Sequence, residues 1–412
     1  MALATRTSDT SSAAGSHAPP VQTWEQARSA ARSAAGRALP PVARDIPDAL
    51  GHVLAEPLVA RTDLPAFDTS AMDGWAVAGP GPWRLRRGEV LAGGRAELLA
   101  TGTALSIATG AQLPPGATAV LRREHGQVDP SGGVLLDRAP SRLTAGRDIR
   151  PRGQECREGQ PLIAAGATAT PAVLGLAAAA GYDQIAVHRR PEVELLVLGD
   201  ELLDSGLPRD GRVRDALTPL LDPWLRCDGE LIGSRRIADD FELLRAAISG
   251  SPADVVITTG GTAAGPVDFV HRALADLGAR LLVDSVAVRP GHPMLLAELP
   301  AADGRSRWLV GLPGNPLAAV AGTATLVHPL LSRLNGRDEM SRRCSTAAEL
   351  PGHPTSTRLL PVVLHENAAT AVPFDGPAML RGLALSDGLA VVPPGGLPAG
   401  STVEVLEAPR PW

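Results

Sequence analysis

Three apolar runs in the second half of the chain end abruptly at glycines: VELLVLGDEL at 193–202, ADVVITTGG at 253–261 and RWLVGLPGNP at 307–316. A run this apolar buries both of its faces, which a strand achieves inside a sheet covered by helices on either side. Segments of helical character separate the runs: ALTPLLDPWLRCDG, FELLRAAISG and PVDFVHRALADLG, with LAAVAGTATLVHPLLSRL closing the series. ELIGSRRIADD reads as one more strand with its exit. Residues 191–335 are therefore expected to form a three-layer α/β domain around a mostly parallel sheet. In such a sheet the strand-to-helix loops gather at the carboxyl edge, where ligands bind.

The other segments have different textures. Residues 1–20 are rich in Ser, Ala, Thr and Pro without periodicity and are expected to be a disordered tail. WEQARSAARSAAGRA reads as a helix, and IPDALGHVLAEPL after Asp45 as a second short one. Residues 61–145 are punctuated by Gly and Pro around the runs GWAVAG, ALSIATG, TAVLRRE and GGVLLD, the pattern of an inserted β domain. PLIAAGATATPAVLGLAAAAGYDQIAVHRRP then reads as strand, Ala-rich helix and strand. Residues 21–60 and 146–190 are accordingly expected to join as a discontinuous, elongated linker domain. Short runs such as RLLPVVLH, LAVVPP and STVEVLEA predict a small β barrel over 346–412.

Composition narrows the function. At roughly 150 residues per domain, 412 residues allow several domains. The 39 basic residues, every one an arginine, are outnumbered by 44 acidic ones. The net charge of -5 argues against broad attraction to nucleic acid or anionic membrane. No stretch approaches the roughly 18 uninterrupted apolar residues of a membrane span, and the N-terminus lacks the apolar centre of a secretory signal. Cys156, Cys227 and Cys344 have no paired spacing, so neither a disulfide framework nor a thiolate metal site is indicated. A cytoplasmic protein is expected.

Four loops of the α/β segment have the chemistry of a ligand site. Gly199-Asp200-Glu201 sets two carboxylates at the end of an apolar strand; they suit a hard cation such as Mg²⁺, or equally a helix cap. In Thr258-Thr259-Gly260-Gly261-Thr262-Ala263-Ala264-Gly265, glycines admit N–H groups close to a phosphate, and the following helix start adds positive potential. The alternative is an unliganded tight turn, and the segment matches neither the P-loop nor the dinucleotide fingerprint. Asp268, near the helix start, reads as a metal ligand or a helix-dipole partner. Arg289-Pro290-Gly291-His292-Pro293 carries one permanent and one titratable cation on a stiff backbone, as an anion clamp or a plain connection. Gly311-Leu312-Pro313-Gly314-Asn315-Pro316 is a more particular backbone than a generic turn requires. In the β segment, Phe67-Asp68-Thr69-Ser70-Ala71-Met72-Asp73-Gly74 and Thr109-Gly110-Ala111 are two further polar turns.

In their order along the chain these loops resemble the molybdopterin molybdotransferases, the family of MoeA and the gephyrin E domain. FDTSAMDGWAV is similar to the family's FDxSAMDGYAV, TGAQLPPGATAV to TGAxLPxGADAV, IRPRGQE to xRxxGED and TTGGTAAGPVD to SGGVSxGxxD, while GDEL and GLPGNP are shared. The resemblance covers nearly the whole chain, from Thr23 to Leu406. It implies a four-domain subunit and a homodimer, with the cleft between the α/β domain of one subunit and the inserted β domain of the other. It also implies Mg²⁺-dependent insertion of molybdate into adenylyl-molybdopterin with release of AMP, and other molybdenum cofactor biosynthesis proteins as partners. By position, Asp68, Thr109, Asp240 and Asp268 would take catalytic roles, and Glu201 and Asp268 would hold the metal. Gly260, Gly261, Arg289, His292, Pro313, Gly314, Asn315, Pro316 and Arg358 would bind the pterin nucleotide and molybdate.

The departures from the family pattern fall where the oxyanion is handled. The second Lys of KPGKP is His292, and the Ser two positions after GLPGNP is Ala318. The Ser of SGGVS is Ala263, the acid of GED is Glu155, and the polar pair before the following helix is Ala216-Leu217. Gly376-Pro377-Ala378 stands where the family has a Ser-containing turn. Each lost hydroxyl removes a hydrogen bond to a charged group, worth about 1.5–3 kcal/mol. Arg289 and Arg358 remain as molybdate partners. A pterin-binding paralogue without turnover, or a transferase of this fold for another oxyanion or pterin, are the alternatives to the molybdate-inserting enzyme.

Overall fold

A computed structural model describes residues 21–95, 97–262, 269–300, 304–338 and 341–407. The expected tail 1–20 and Asp268 lie outside the described residues. The described residues form two compact units, one within Pro41–Val187, the other of residues 21–40 together with those from His188 onward.

In the larger unit the strands are β1 (Glu192–Leu198), β2 (Glu230–Ile237), β3 (Val255–Thr259), β4 (Arg280–Asp284), β5 (Leu295–Leu299) and β6 (Arg307–Leu312). The helices are α1 (Leu217–Asp228), α2 (Phe241–Gly250), α3 (Phe269–Asp276) and the long α4 (Pro316–Leu334). Among the described residues the sheet order is β2-β1-β3-β6-β5-β4. The run from β2 to β6 is parallel, and β5 and β4 add an antiparallel edge.

The period of two along the strands divides the core. Val193, Leu195, Val197, Val255, Ile257 and Val310 face α1 and α4, whereas Leu196, Val256 and Leu309 face α2 and α3. Helices therefore cover both faces, as expected for α/β. The helix Trp24–Ala35, in the segment 21–60 expected to be part of the linker domain, packs into the first of these cores. Thr23 caps it in a reciprocal capping box with Gln26, and the indole N–H of Trp24 donates to Thr325 Oγ1 over 3.2 Å. Helix α4 is long and apolar enough to cross a membrane by length and composition, but 89% of that stretch is buried inside the unit. It is a core helix of the sandwich.

The C-terminal strands close into a small barrel. Thr357–His365, Ala368–Ala371, Arg342–Thr346, Thr402–Glu407 and Gly388–Val392 pair in that order, and the last pairs back with the first. Closure leaves no open edge within the ring. Val288–Arg289 joins it in parallel, with Arg289 in register with Arg358.

The smaller unit contains a six-stranded sheet among its described residues, over Ala119–Arg122, Gly74–Val77, Thr103–Ile107, Trp83–Val90, Val134–Asp137 and Gly126–Val128. A small core separate from those of the sheet gathers Leu54, Leu58, Ala169, Ala177, Ile185 and Val187 around the helix Pro171–Ala179. The second helix expected after Asp45 is a single 3₁₀ turn, Ile46–Ala49. Pro47 suits its start, but the chain then turns at Gly51 with φ +75° to bring Val53 and Leu54 into bridges with Thr168 and Val187.

Candidate functional site

The carboxyl ends of the neighbouring strands β2, β1, β3 and β6 deliver four loops to one place. They line a cavity of about 170 Å³ with Asp239 and Asp240 after β2, Gly199 and Glu201 after β1, Gly260 and Gly261 after β3, and Gly314 after β6. Parallel register explains the convergence, because every such strand ends at the same edge. Gly260 and Gly261 both have left-handed φ, +86° and +65°, the backbone that a turn from strand to helix needs here. The amide of Gly260 donates to the Leu312 carbonyl over 2.8 Å, tying the loop after β3 to the end of β6.

The acids at this cavity are not equivalent. Asp240 Oδ1 accepts the Leu243 N–H over 2.9 Å and so caps α2. Asp215, not Asp200 or Glu201, caps α1 through the N–H groups of Leu217 and Thr218. Glu201 is held by its backbone, whose carbonyl accepts from Val213, and its carboxylate folds back over Gly199. A Cβ on Gly199 would stand 2.6 Å from Glu201 Oε2. Glu201, Asp239 and Asp240 have no ion pair among the described residues. The buried hydroxyls of Thr258 and Thr259 also lack a hydrogen-bond partner.

Among the described residues no three His, Cys, Asp or Glu side chains converge tightly enough to cage a metal by themselves. A hard cation shared with a phosphate needs only one or two carboxylates and takes its other oxygens from phosphate and water. The cavity has that donor set and fits such a cation.

Further candidates cluster around the start of α4. Gly291, at φ +104°, packs so tightly that a Cβ would stand 2.9 Å from the Ala318 carbonyl. This seats the loop 289–293 on the first turn of α4. The His292 ring is held by Nδ1 against the Val286 carbonyl at 2.8 Å. Arg289 has no carboxylate partner among the described residues, while Arg358 Nη2 donates to Asp375 Oδ2 over 2.7 Å. Pro313 is buried; Gly314 and Asn315 are exposed. Asn315 precedes α4 without a side-chain cap. The N–H groups of Leu317 and Ala318 donate instead to the Pro377 carbonyl, over 2.9 and 3.2 Å. These two donors at the start of α4 are thus occupied within the chain.

Asp68 and Thr109 belong to the smaller unit, where three motifs meet. Strand pairing sets Thr69 and Ser70 against Arg150 and Ile149, and Thr69 also bridges Gln112. Asp68 Oδ1 accepts the Arg152 N–H over 2.7 Å, and Asp73 Oδ1 accepts the Thr109 N–H over 2.8 Å. Hydrogen bonds from the Thr109 backbone, then its hydroxyl, hold the Asp73 carboxyl below the usual carboxylate range. Asp63 is lowered as well, first by the Glu158 N–H and then by the Arg152 guanidinium. Asp68, Asp73 and Thr109 are all exposed, so this is a polar surface with fixed acids.

Sequence reasoning missed Asp239, Asp375 and the supporting role of Asp73. Asp239 directly precedes Asp240 at the end of a strand, a readable signal. Asp375 has none, since its importance comes from a partner 17 positions away.

Comparison with known proteins follows the same segments. The MoeA N-terminal region (domain I and II) matches residues 22–181, a probable molybdopterin binding domain residues 194–333, and the MoeA C-terminal region (domain IV) residues 343–408. Molybdopterin molybdenumtransferase 2 of Mycobacterium tuberculosis is 31% identical over 383 residues, 87% of this chain and 92% of that one. The molybdopterin molybdenumtransferase of Bacillus subtilis is 29% identical over 382 residues, 87% and 88% of the two chains. The crystal structure of a molybdopterin biosynthesis MoeA protein from Pyrococcus horikoshii superposes with a TM-score of 0.74 at 25% identity, covering 95% of this chain and 100% of that one.

Proposed function

The chain belongs to the MoeA family of molybdopterin molybdenumtransferases, and on that premise we propose that it inserts molybdate into adenylyl-molybdopterin with release of AMP. It is a transferase of molybdenum cofactor biosynthesis by family. The observation that carries the finer reading is the cavity where Glu201, Asp239 and Asp240 face the glycine turns Gly260-Gly261 and Gly314.

In this reading Glu201, Asp240 and Asp268 would hold Mg²⁺, which when bound neutralises charge on the phosphate oxygens of the nucleotide. The backbone at Gly260 and Gly261 would cradle a phosphate, with no side chain to hold it off. The Pro313–Pro316 loop fixes the cavity wall. Arg289 and Arg358 attract the oxyanion, and His292, anchored through Nδ1, leaves Nε2 to face it.

We further propose a homodimer in which Asp68 and Thr109 of one copy complete the cavity of the other. The four domains are then 21–60 with 146–190, 61–145, 191–335 and 346–412, with the helix Trp24–Ala35 docked on the third. Other molybdenum cofactor biosynthesis proteins are its expected partners, in the cytoplasm.

The test is AMP release from adenylyl-molybdopterin in the presence of molybdate, with and without Mg²⁺. Release that needs both supports the reading; bound nucleotide that is never cleaved overturns it. Asp68→Ala and Glu201→Gln are each expected to be inactive, and mixing them should restore about a quarter of wild-type release if two copies share a site. No recovery on mixing, with subunit exchange verified, removes the shared site.

A further inference from the structure

Two of the oxygens around the start of α4 come from a single turn of the barrel. Asp375 lays its carboxylate on Arg358 at 2.7 Å, and Pro377, two residues on, puts its carbonyl on the Leu317 and Ala318 N–H groups at 2.9 and 3.2 Å. A guanidinium and the free N–H groups of a long helix are the donors that a tetrahedral oxyanion takes in a protein. Arg289 stands in register beside Arg358 and has no carboxylate of its own among the described residues.

The turn is built to hold this position. Phe374 has a left-handed φ of +70°, and the Arg381 guanidinium lies 4.4 Å from its ring centroid. Gly382 approaches so closely that a Cβ there would stand 2.4 Å from the Phe374 carbonyl. The Met379 N–H closes the turn on the Gly376 carbonyl over 2.9 Å.

We propose that Asp375 is a specificity-determining residue: an internal carboxylate that the incoming oxyanion must displace from Arg358. This rests on the reading of Arg289 and Arg358 as the oxyanion's partners. A dianion with several charged oxygens bridges both arginines and wins that exchange; a monoanion meets only the half-buried Arg289, which no carboxylate among the described residues occupies. Asp375 thereby trades affinity for discrimination by charge.

The experiment is calorimetric titration of the full-length protein with molybdate, and with formate as a monoanion, in wild type, Asp375→Asn and Asp375→Ser. Thermal unfolding of each variant checks that it is folded, and the serine variant serves if the asparagine one is not. Molybdate is expected to bind about tenfold more tightly without the carboxylate, with formate gaining measurable affinity. Unchanged or weaker molybdate binding in the folded variants overturns the proposal, as does an absence of molybdate binding in all three proteins. AMP release is scored separately. Tighter binding with no AMP release in any protein sinks the enzymatic reading alone, and normal release with equal affinities sinks this proposal alone.

Discussion

The backbone N–H of Thr109 is bonded to the carboxylate of Asp73 across 2.8 Å, joining two polar turns 36 positions apart. The bond fixes the Thr109 backbone against the turn that carries Asp73. Asp73→Ala is expected to lower AMP release about tenfold, since the acceptor that positions the Thr109 backbone is lost. Asp73→Asn keeps an acceptor oxygen and should retain most of the activity. Equal loss in both variants, measured as initial rates, would show that charge and not positioning matters here.

Asp240 combines two roles that substitutions can separate. As the cap of α2 it accepts the Leu243 N–H, and an asparagine does the same. Asp240→Asn should therefore keep its unfolding midpoint yet lose Mg²⁺-dependent release. Asp240→Ala should lose about 1 kcal/mol of stability as well. Urea titration beside the activity assay distinguishes the two, and a fully active Asp240→Asn would reduce the residue to a cap.

Gly291 cannot carry a side chain where it is. Its φ of +104° and the Ala318 carbonyl 2.9 Å from a built Cβ both oppose alanine. Gly291→Ala is expected to cost about 1–3 kcal/mol and to loosen the loop bearing Arg289 and His292. An unfolding midpoint equal to wild type would be incompatible with the packing described.

Asp148 supplies a pH-dependent share of stability in the smaller unit. The Arg122 guanidinium, bonded to both carboxylate oxygens at 2.9 Å, holds its pKa below the ordinary value. A folded-state value below the unfolded one gives stability that is complete above about pH 4 and is lost as pH falls through the lowered value. Asp148→Asn should cost about 1–2 kcal/mol near neutrality, the pair being partly exposed at Arg122, and flatten the acid limb. Denaturation at a series of pH values reads both effects, and an unaltered acid limb would assign it to other carboxylates.

The strands and helices that were legible share a property. The runs over β1, β3 and β6, and the helix Phe241–Gly250, bury a face repeatedly, so their period is written in consecutive residues. Trp83–Val90 escaped the reading because only its two ends are buried and its middle is arginine-rich. The antiparallel pair β4 and β5 escaped as well; β4 is the outermost strand, and of its five residues only Val283 is fully buried. The glycine-ended loops were legible because a turn out of a strand demands φ values few other residues adopt.

From the chain alone, then, came the layers, the closing barrel and the loops that carry acids, arginines and glycines. These follow from hydrophobic period and backbone freedom, which act over a few neighbouring residues. The tertiary structure alone decided which loops meet: Asp73 with Thr109, Asp375 with Arg358, and the Pro377 carbonyl with the start of α4. Such pairings depend on sheet register and on the packing of one core against another, and neither is encoded in the composition of the loops themselves.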